Sequence, residues 1–264
     1  MSLSLAARFA RREMRGGLRG FRLLLACLAL GVAALAAVGS VRAAIEAGLE
    51  AEGAALLGGD AELDFTYRFA NEAESAWMER VADRVSEIAD FRSMAVVDRP
   101  EGVERGLTQI KAVDTLYPLI GSVVLKPNMP LADALADQNG RPGAVMERAL
   151  IDRLGLTVGD RFRLGTQEFI LTATLQRVPD SAAGGFGLGP RTIVLRSSLA
   201  NAELLAPGTL FNSKYRLDLP PGTALALLEE QARATFENTG MRWTDARNGA
   251  PGVSCLLYTS DSAR

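Results

Sequence analysis

The residue types that carry most protein chemistry are thin in this sequence. It has no histidine, which removes the commonest general base, the commonest metal ligand and any Ser-His-Asp or Cys-His pair. No GxSxG or SxxK pattern supplies a serine nucleophile instead. The two cysteines are Cys27, inside an apolar run, and Cys255, near the C-terminus, and they make no disulfide framework. The segment PDSAAGGFGLGP (Pro179–Pro190) is glycine-rich, yet it lacks the GK[ST] ending and the following helix of a phosphate cradle. What it offers is Phe186 and Leu188, apolar side chains on a loop where repeated glycine prevents regular structure. Exposed apolar points of this kind contact a hydrophobic cargo or a partner, and they serve equally as a flexible hairpin tip.

The elements around that loop are more informative. Arg8, Arg11, Arg12, Arg15, Arg19 and Arg22 crowd the N-terminus, opposed by Glu13 alone, while Glu46, Glu50, Glu52, Asp60, Glu62 and Asp64 follow an uncharged run, LLLACLALGVAALAAVGSV (Leu23–Val41). At about 1.5 Å per residue such a run approaches the roughly 30 Å hydrocarbon thickness of a bilayer. It exceeds the usual apolar region of a signal peptide, which favours a retained transmembrane helix over a cleaved leader or a buried soluble helix. The arginines are the topology determinants: they hold the N-terminus in the cytoplasm and place everything after Arg42 outside. Ahead of the run, Leu5, Ala6, Phe9, Ala10 and Met14 recur at helical spacing opposite the arginines, the pattern of an amphipathic helix on the inner leaflet or of a signal-peptide n-region. The net charge is -2 and no basic footprint lies beyond the first turns, which excludes a nucleic-acid surface.

Beyond the membrane run the sequence predicts a mixed α+β domain with a largely antiparallel sheet. The helix is expected to continue to a stop at Gly58-Gly59. A strand follows over Ala61–Tyr67, then a helix capped by Asn71 and carrying Trp77, Val81, Val85 and Ile88 on one face. Phe91–Val97 and Leu107–Val113 read as a hairpin. A short helix is expected around Leu131–Ala136, a strand at Gly143–Met146, a helix at Glu147–Leu154 and a strand pair at Arg161–Leu164 and Glu168–Gln176. Arg191–Leu195 and Lys214–Leu219 complete the strands. Ser197 or Ser198 is expected to cap a helix at Leu199–Leu204, and Leu225–Phe236 forms the last helix.

Three segments, IKAVDTLYPLIGSVVL (Ile110–Leu125), ALIDRLGLTVGDRFRLG (Ala149–Gly165) and PDSAAGGFGLGPRTIVLRSSL (Pro179–Leu199), resemble the N-terminal region of FtsX-like ABC transporter permeases. The resemblance is to the YbbP-type branch, with its MacB-like periplasmic core domain, and it extends to about Thr244. It implies a permease subunit of the bacterial inner membrane that is not itself an enzyme. A LolD/MacB-type cytosolic ATP-binding subunit would hydrolyse ATP with Mg, leaving no cofactor and no metal on this chain. Helix motion would drive the periplasmic domain to export or extract lipids, lipoproteins or other hydrophobic molecules. The lipid bilayer, a periplasmic accessory protein and the cargo are the further implied partners; nucleic acid is not among them. Asp114, Tyr117 and Asp180 are the polar groups that recur in the resembling segments, and turn and capping roles suit all three better than catalysis. The alternative from another class is a single-span envelope sensor or assembly scaffold without an ATPase.

The expected organisation is a cytoplasmic amphipathic segment (1–20), a transmembrane helix (21–45), the periplasmic core domain (46–250) and a tail (251–264). The tail ends in CLLYTSDSAR, which reads as translated adapter sequence at a truncation point, where a return to the membrane is expected, or as a genuine short strand and tail.

Overall fold

The longest element is α1 (Leu18–Leu57), built from alanine- and leucine-rich sequence with high helix propensity. The computed structural model describes residues 18–180, 189–200, 202, 204–205, 208–237 and 239–247; the expected amphipathic segment before Leu18 and the tail lie outside them. Two units divide the chain, Met1–Leu49 and Glu50–Arg264. In the first, Leu24–Val41 has a mean hydropathy of 2.4 and exposes its leucines and valines. It is the one stretch among the described residues long and apolar enough to cross a membrane.

The second unit begins with the last turns of α1. They end at Gly58, as expected, where φ is +77°, a conformation that glycine adopts without penalty. The Ala54 carbonyl accepts from both Gly58 N (2.8 Å) and Gly59 N (3.1 Å), which satisfies one of the carbonyls that a helix end leaves without an intrahelical partner. Then come β1 (Ala61–Thr66), α2 (Glu72–Val81), β2 (Arg84–Arg99), β3 (Gly102–Val113), β4 (Val124–Lys126), α3 (Leu131–Leu135), β5 (Gly143–Glu147), α4 (Arg148–Arg153), β6 (Arg161–Leu164), β7 (Gln167–Arg177), β8 (Arg191–Leu195), β9 (Phe211–Asp218), α5 (Leu225–Thr235) and β10 (Arg242–Asp245).

These strands form one ten-stranded sheet among the described residues, in the order β10-β1-β9-β2-β3-β8-β5-β7-β4. β6 pairs with both β7 and β2, which closes the circuit β2-β3-β8-β5-β7-β6. Alternation along those strands sends Phe91, Ile110, Met146, Phe162, Phe169 and Val194 into a common cluster. The pairings are antiparallel except β3–β8 and β5–β7, so the mixed, largely antiparallel α+β reading holds. On the β10-β1-β9 wing, Leu63, Phe65, Tyr215 and Leu217 pack with Trp77 and Met78 of α2 and Leu228 and Ala232 of α5. A third cluster sets Val145, Ala173 and Ile193 beneath Leu135 of α3.

Several boundaries move. The helix after Asn71 ends at Val81 and the strand begins at Arg84, so Val85 and Ile88, expected on the helix, belong to β2. Their spacing fits either period, and pairing of Arg84–Phe91 with β9 decides it. The described residues of Leu199–Leu204 are not in the expected helix; a 3-10 turn occupies Arg196–Leu199, with Ser197 and Ser198 inside it. β4 and β10 are strands not expected from sequence.

Asn71 forms a full capping box: its side chain accepts from Glu74 N (2.9 Å), and Glu74 accepts from Asn71 N (2.8 Å). Asn71→Ala is therefore expected to lower stability by about 1 kcal/mol, read by urea unfolding; an unchanged midpoint would show that the cap contributes nothing.

Candidate functional site

The sheet formed by β1, β9, β2 and β3 has an apolar face toward α2 and the closed circuit. Its other face carries charge. Cross-strand register places Glu62 opposite Arg216 and Asp64 opposite Lys214, and Asp90 opposite Lys111. On a two-residue period these side chains share one face, and Glu62, Lys111, Lys214 and Arg216 are all buried there. Buried ions require close partners, and these have them. Arg216 Nε donates to Glu62 Oε2 at 3.0 Å. Its Nη1 sits 2.6 Å from Asp180 Oδ2, as an ion pair outside directed hydrogen-bond geometry. Lys214 Nζ lies between Glu62 (3.7 Å) and Asp90 (3.4 Å). Lys111 Nζ donates to Asp180 Oδ2, and the Tyr117 hydroxyl donates to Asp180 Oδ1 at 2.8 Å.

The end of α1 lies directly over this network. A Cβ built on Gly58 would stand 2.7 Å from Arg216 Nη1 and 3.4 Å from Asp180 Cβ. Leu57 is fully buried. At Gly53 a Cβ would come within 1.9 Å of the Ala246 carbonyl oxygen, so the helix backbone itself seats against the segment after β10. Asp60 fixes the exit: its N–H donates to Leu217 O (2.9 Å), its carbonyl accepts from Ala246 N (2.9 Å) and its carboxylate accepts from Leu219 N (2.8 Å). Glycines at 53 and 58 thus permit a close approach that any side chain would prevent.

Electrostatics follow the geometry. Burial alone would raise the Asp180 carboxyl, but Lys111 and Arg216 outweigh it and hold it well below the carboxylate range. Burial pushes the Lys111 ammonium down and the Tyr117 phenol up. For Lys214, burial works downward, and Glu62 and Asp90 overcome it to raise the group. Glu74 and Asp245 resemble Asp180: each is opposed by burial and held low, Glu74 by Arg68 and the Asn71 N–H, Asp245 by Arg247 and Trp243. Asp64 goes the other way, raised chiefly by burial. A depressed carboxyl contributes stability that is present above the ordinary range near pH ~4 and is lost as pH falls through its folded value; a raised one has the opposite sign. With Asp180, Glu74 and Asp245 depressed, the exposed Glu168 also held low by Arg141, and Asp64 raised, the urea midpoint is expected to drop between about pH 6 and pH 3. A flat profile would contradict the pairing of these carboxylates.

The sequence candidates fare unevenly. Phe186 and Leu188 lie outside the described residues, as do Arg8, Arg11, Arg12 and Arg15; Arg19 and Arg22 fall on the first turns of α1. Asp114 has the turn role expected of it, accepting from Leu116 N and Tyr117 N, and it also ties down Ser86 Oγ and Glu87 N. Tyr117 and Asp180 do more than shape turns: the Tyr117 hydroxyl, Lys111 and Arg216 meet on the Asp180 carboxylate. Glu62, Asp90, Lys111, Lys214 and Arg216 were not singled out from sequence. Their one signal is charge at alternate strand positions, which ordinarily means a solvated face. The groups within these distances are paired with one another and tie β1, β3 and β9 to the chain at Asp180. No group of ligating residues suited to a metal ion occurs among the described residues.

Comparison with known proteins places this architecture. The model of the MacB-like periplasmic core domain matches residues 23–235. The chain belongs to that family. The match runs from the apolar stretch of α1 to the end of α5, so the MacB-like domain here includes the membrane-length helix and the charged face. The chain is also 27% identical over 193 residues to a protein of Escherichia coli (strain K12) named "Uncharacterized ABC transporter permease YbbP". That alignment covers 72% of this chain and 22% of the relative, so the MacB-like chain spans under a quarter of that protein's length. Among solved structures, the periplasmic region of MacB from Actinobacillus actinomycetemcomitans aligns over 76% of this chain and 95% of its own, with 9% identity and a TM-score of 0.48. The extracellular domain of the ABC-type transporter YknZ from Gram-positive bacteria aligns over 70% of this chain and 100% of its own, with 13% identity and a TM-score of 0.45.

Proposed function

We propose that this chain is the first transmembrane helix and periplasmic core domain of an ABC transporter permease subunit. A separate cytosolic ATP-binding subunit of the LolD/MacB type binds ATP and Mg and hydrolyses ATP. Displacement of the helix then moves the periplasmic domain, which exports or extracts lipids, lipoproteins or other hydrophobic molecules. The chain itself is not an enzyme in this reading. The observation that carries it is the family match over residues 23–235, which takes in the membrane-length helix and the domain together. The arginine-rich start and the uncharged Leu24–Val41 segment support an inner-membrane location with the N-terminus in the cytoplasm.

The test is co-expression of the permease that carries this domain with the ATP-binding subunit encoded beside it. Recovery of both from mild detergent, with ATP hydrolysis abolished by a substitution in the ATP-binding subunit's phosphate loop, is the expected result. Stable recovery of the membrane protein alone, repeated across detergents, would favour the sensor or scaffold.

A further inference from the structure

The buried network is more extensive than anchoring one helix end requires. We propose that the chain Glu62–Arg216–Asp180–Lys111, with Tyr117 on Asp180, is a rigid linkage that makes the end of α1 move as one body with the Asp114–Tyr117 corner and the start of β2. Its use in transport rests on the permease reading above; the linkage itself does not.

The path is continuous. Gly58 lies against Arg216 and Asp180 with no side chain between them. Arg216 spans from Glu62 on β1 to Asp180 after β7. Asp180 holds Lys111 on β3 and the Tyr117 hydroxyl, and the Tyr117 ring lies beside the same two cations, 5.4 Å from Lys111 Nζ and 6.0 Å from Arg216 Cζ. The backbone N–H of Tyr117 donates to Asp114, whose carboxylate also takes Ser86 Oγ and Glu87 N at the start of β2. Apolar surfaces can slide over one another by an ångström at little cost. Buried ions cannot, because each displacement leaves a charge without its partner in a medium that does not solvate it. A chain of such pairs therefore passes on displacement where an apolar interface of the same size would absorb it.

Spatial continuity does not by itself establish coupling, so the test is a mutant cycle read by amide hydrogen exchange on the whole chain in nanodiscs. Gly58→Ala directs a methyl group at Arg216 Nη1 and strains a φ of +77°. In the otherwise unchanged chain it is expected to speed exchange at residues 54–62 and also, by about tenfold, at 86–87 and 114–118. The second background is Glu62→Met/Arg216→Met, which removes one acid and one base and leaves Lys214–Asp90 and Lys111–Asp180 paired. There the effect of Gly58→Ala is expected to stay within 54–62. If that double variant fails to fold, Arg216→Lys keeps the buried charge but cannot engage Glu62 and Asp180 together, and is expected to confine the effect in the same way. No remote effect in the unchanged background, or a remote effect that persists in the cut backgrounds, would overturn the linkage. Because neither measurement involves ATP or cargo, failure to bind an ATP-binding subunit would refute the permease reading and leave this result standing.

Discussion

Replacing Arg216 by methionine is expected to lower the unfolding free energy by about 3–5 kcal/mol, because it leaves Glu62 and Asp180 buried without their shared cation. For a domain of this size that corresponds to a fall of roughly 6–20 °C in melting temperature. Arg216 is 1% exposed, so solvent screening does not reduce the effect. The sign depends on breaking the network rather than removing it. Glu62→Met/Arg216→Met takes out a matched pair, and replacing a buried pair by apolar side chains of similar volume is often neutral or stabilising. The single variant should therefore be much less stable than the double. Urea or thermal unfolding that ranks them the other way would mean that the guanidinium contributes little.

The second large effect is expected at Leu57, the last residue of α1 and fully buried. Leu57→Ala should cost about 2–5 kcal/mol through lost apolar burial and the cavity left behind, whereas Leu57→Met, which conserves volume, should cost less than about 1.5 kcal/mol. The contrast separates packing from helix propensity, since alanine is the better helix former of the two. If both variants unfold with the unchanged chain, the helix end is not seated on the domain as described.

Much of the fold is legible in the sequence because the signals are local. The Gly58-Gly59 stop, the Asn71 cap and the alternation in β1, β6 and β7 each depend on neighbours a few residues away, and each appears where expected. The start of β2 does not, because Val81, Val85 and Ile88 satisfy a helical spacing that only the distant partner β9 overrules. The charged face is the plainest case. Glu62 and Asp64 on β1, and Lys214 and Arg216 on β9, alternate with apolar residues as a strand with one wet side does. Over Arg216 lie the end of α1 at Gly58 and the chain at Asp180, far along in sequence, and no local pattern announces that cover. Asp114 was legible as a turn former because its partners, Leu116 N and Tyr117 N, are two and three residues on. Asp180 was not, because Arg216 and Lys111 come from separate strands. The closed circuit of strands is likewise invisible, since β6 is four residues long and its pairing with β2 is non-local.

The central claim is that the MacB-like core domain lies across the membrane from the N-terminus, and residue-specific labelling tests it most directly. In a chain carrying Cys27→Ser and Cys255→Ser, a single cysteine at Asp98→Cys places a thiol near the tip of the β2–β3 hairpin, where the native side chain is 61% exposed. Intact spheroplasts are then treated with a membrane-impermeant maleimide. The account predicts full labelling without lysis; labelling that appears only after the membrane is broken would put the domain in the cytoplasm and contradict it.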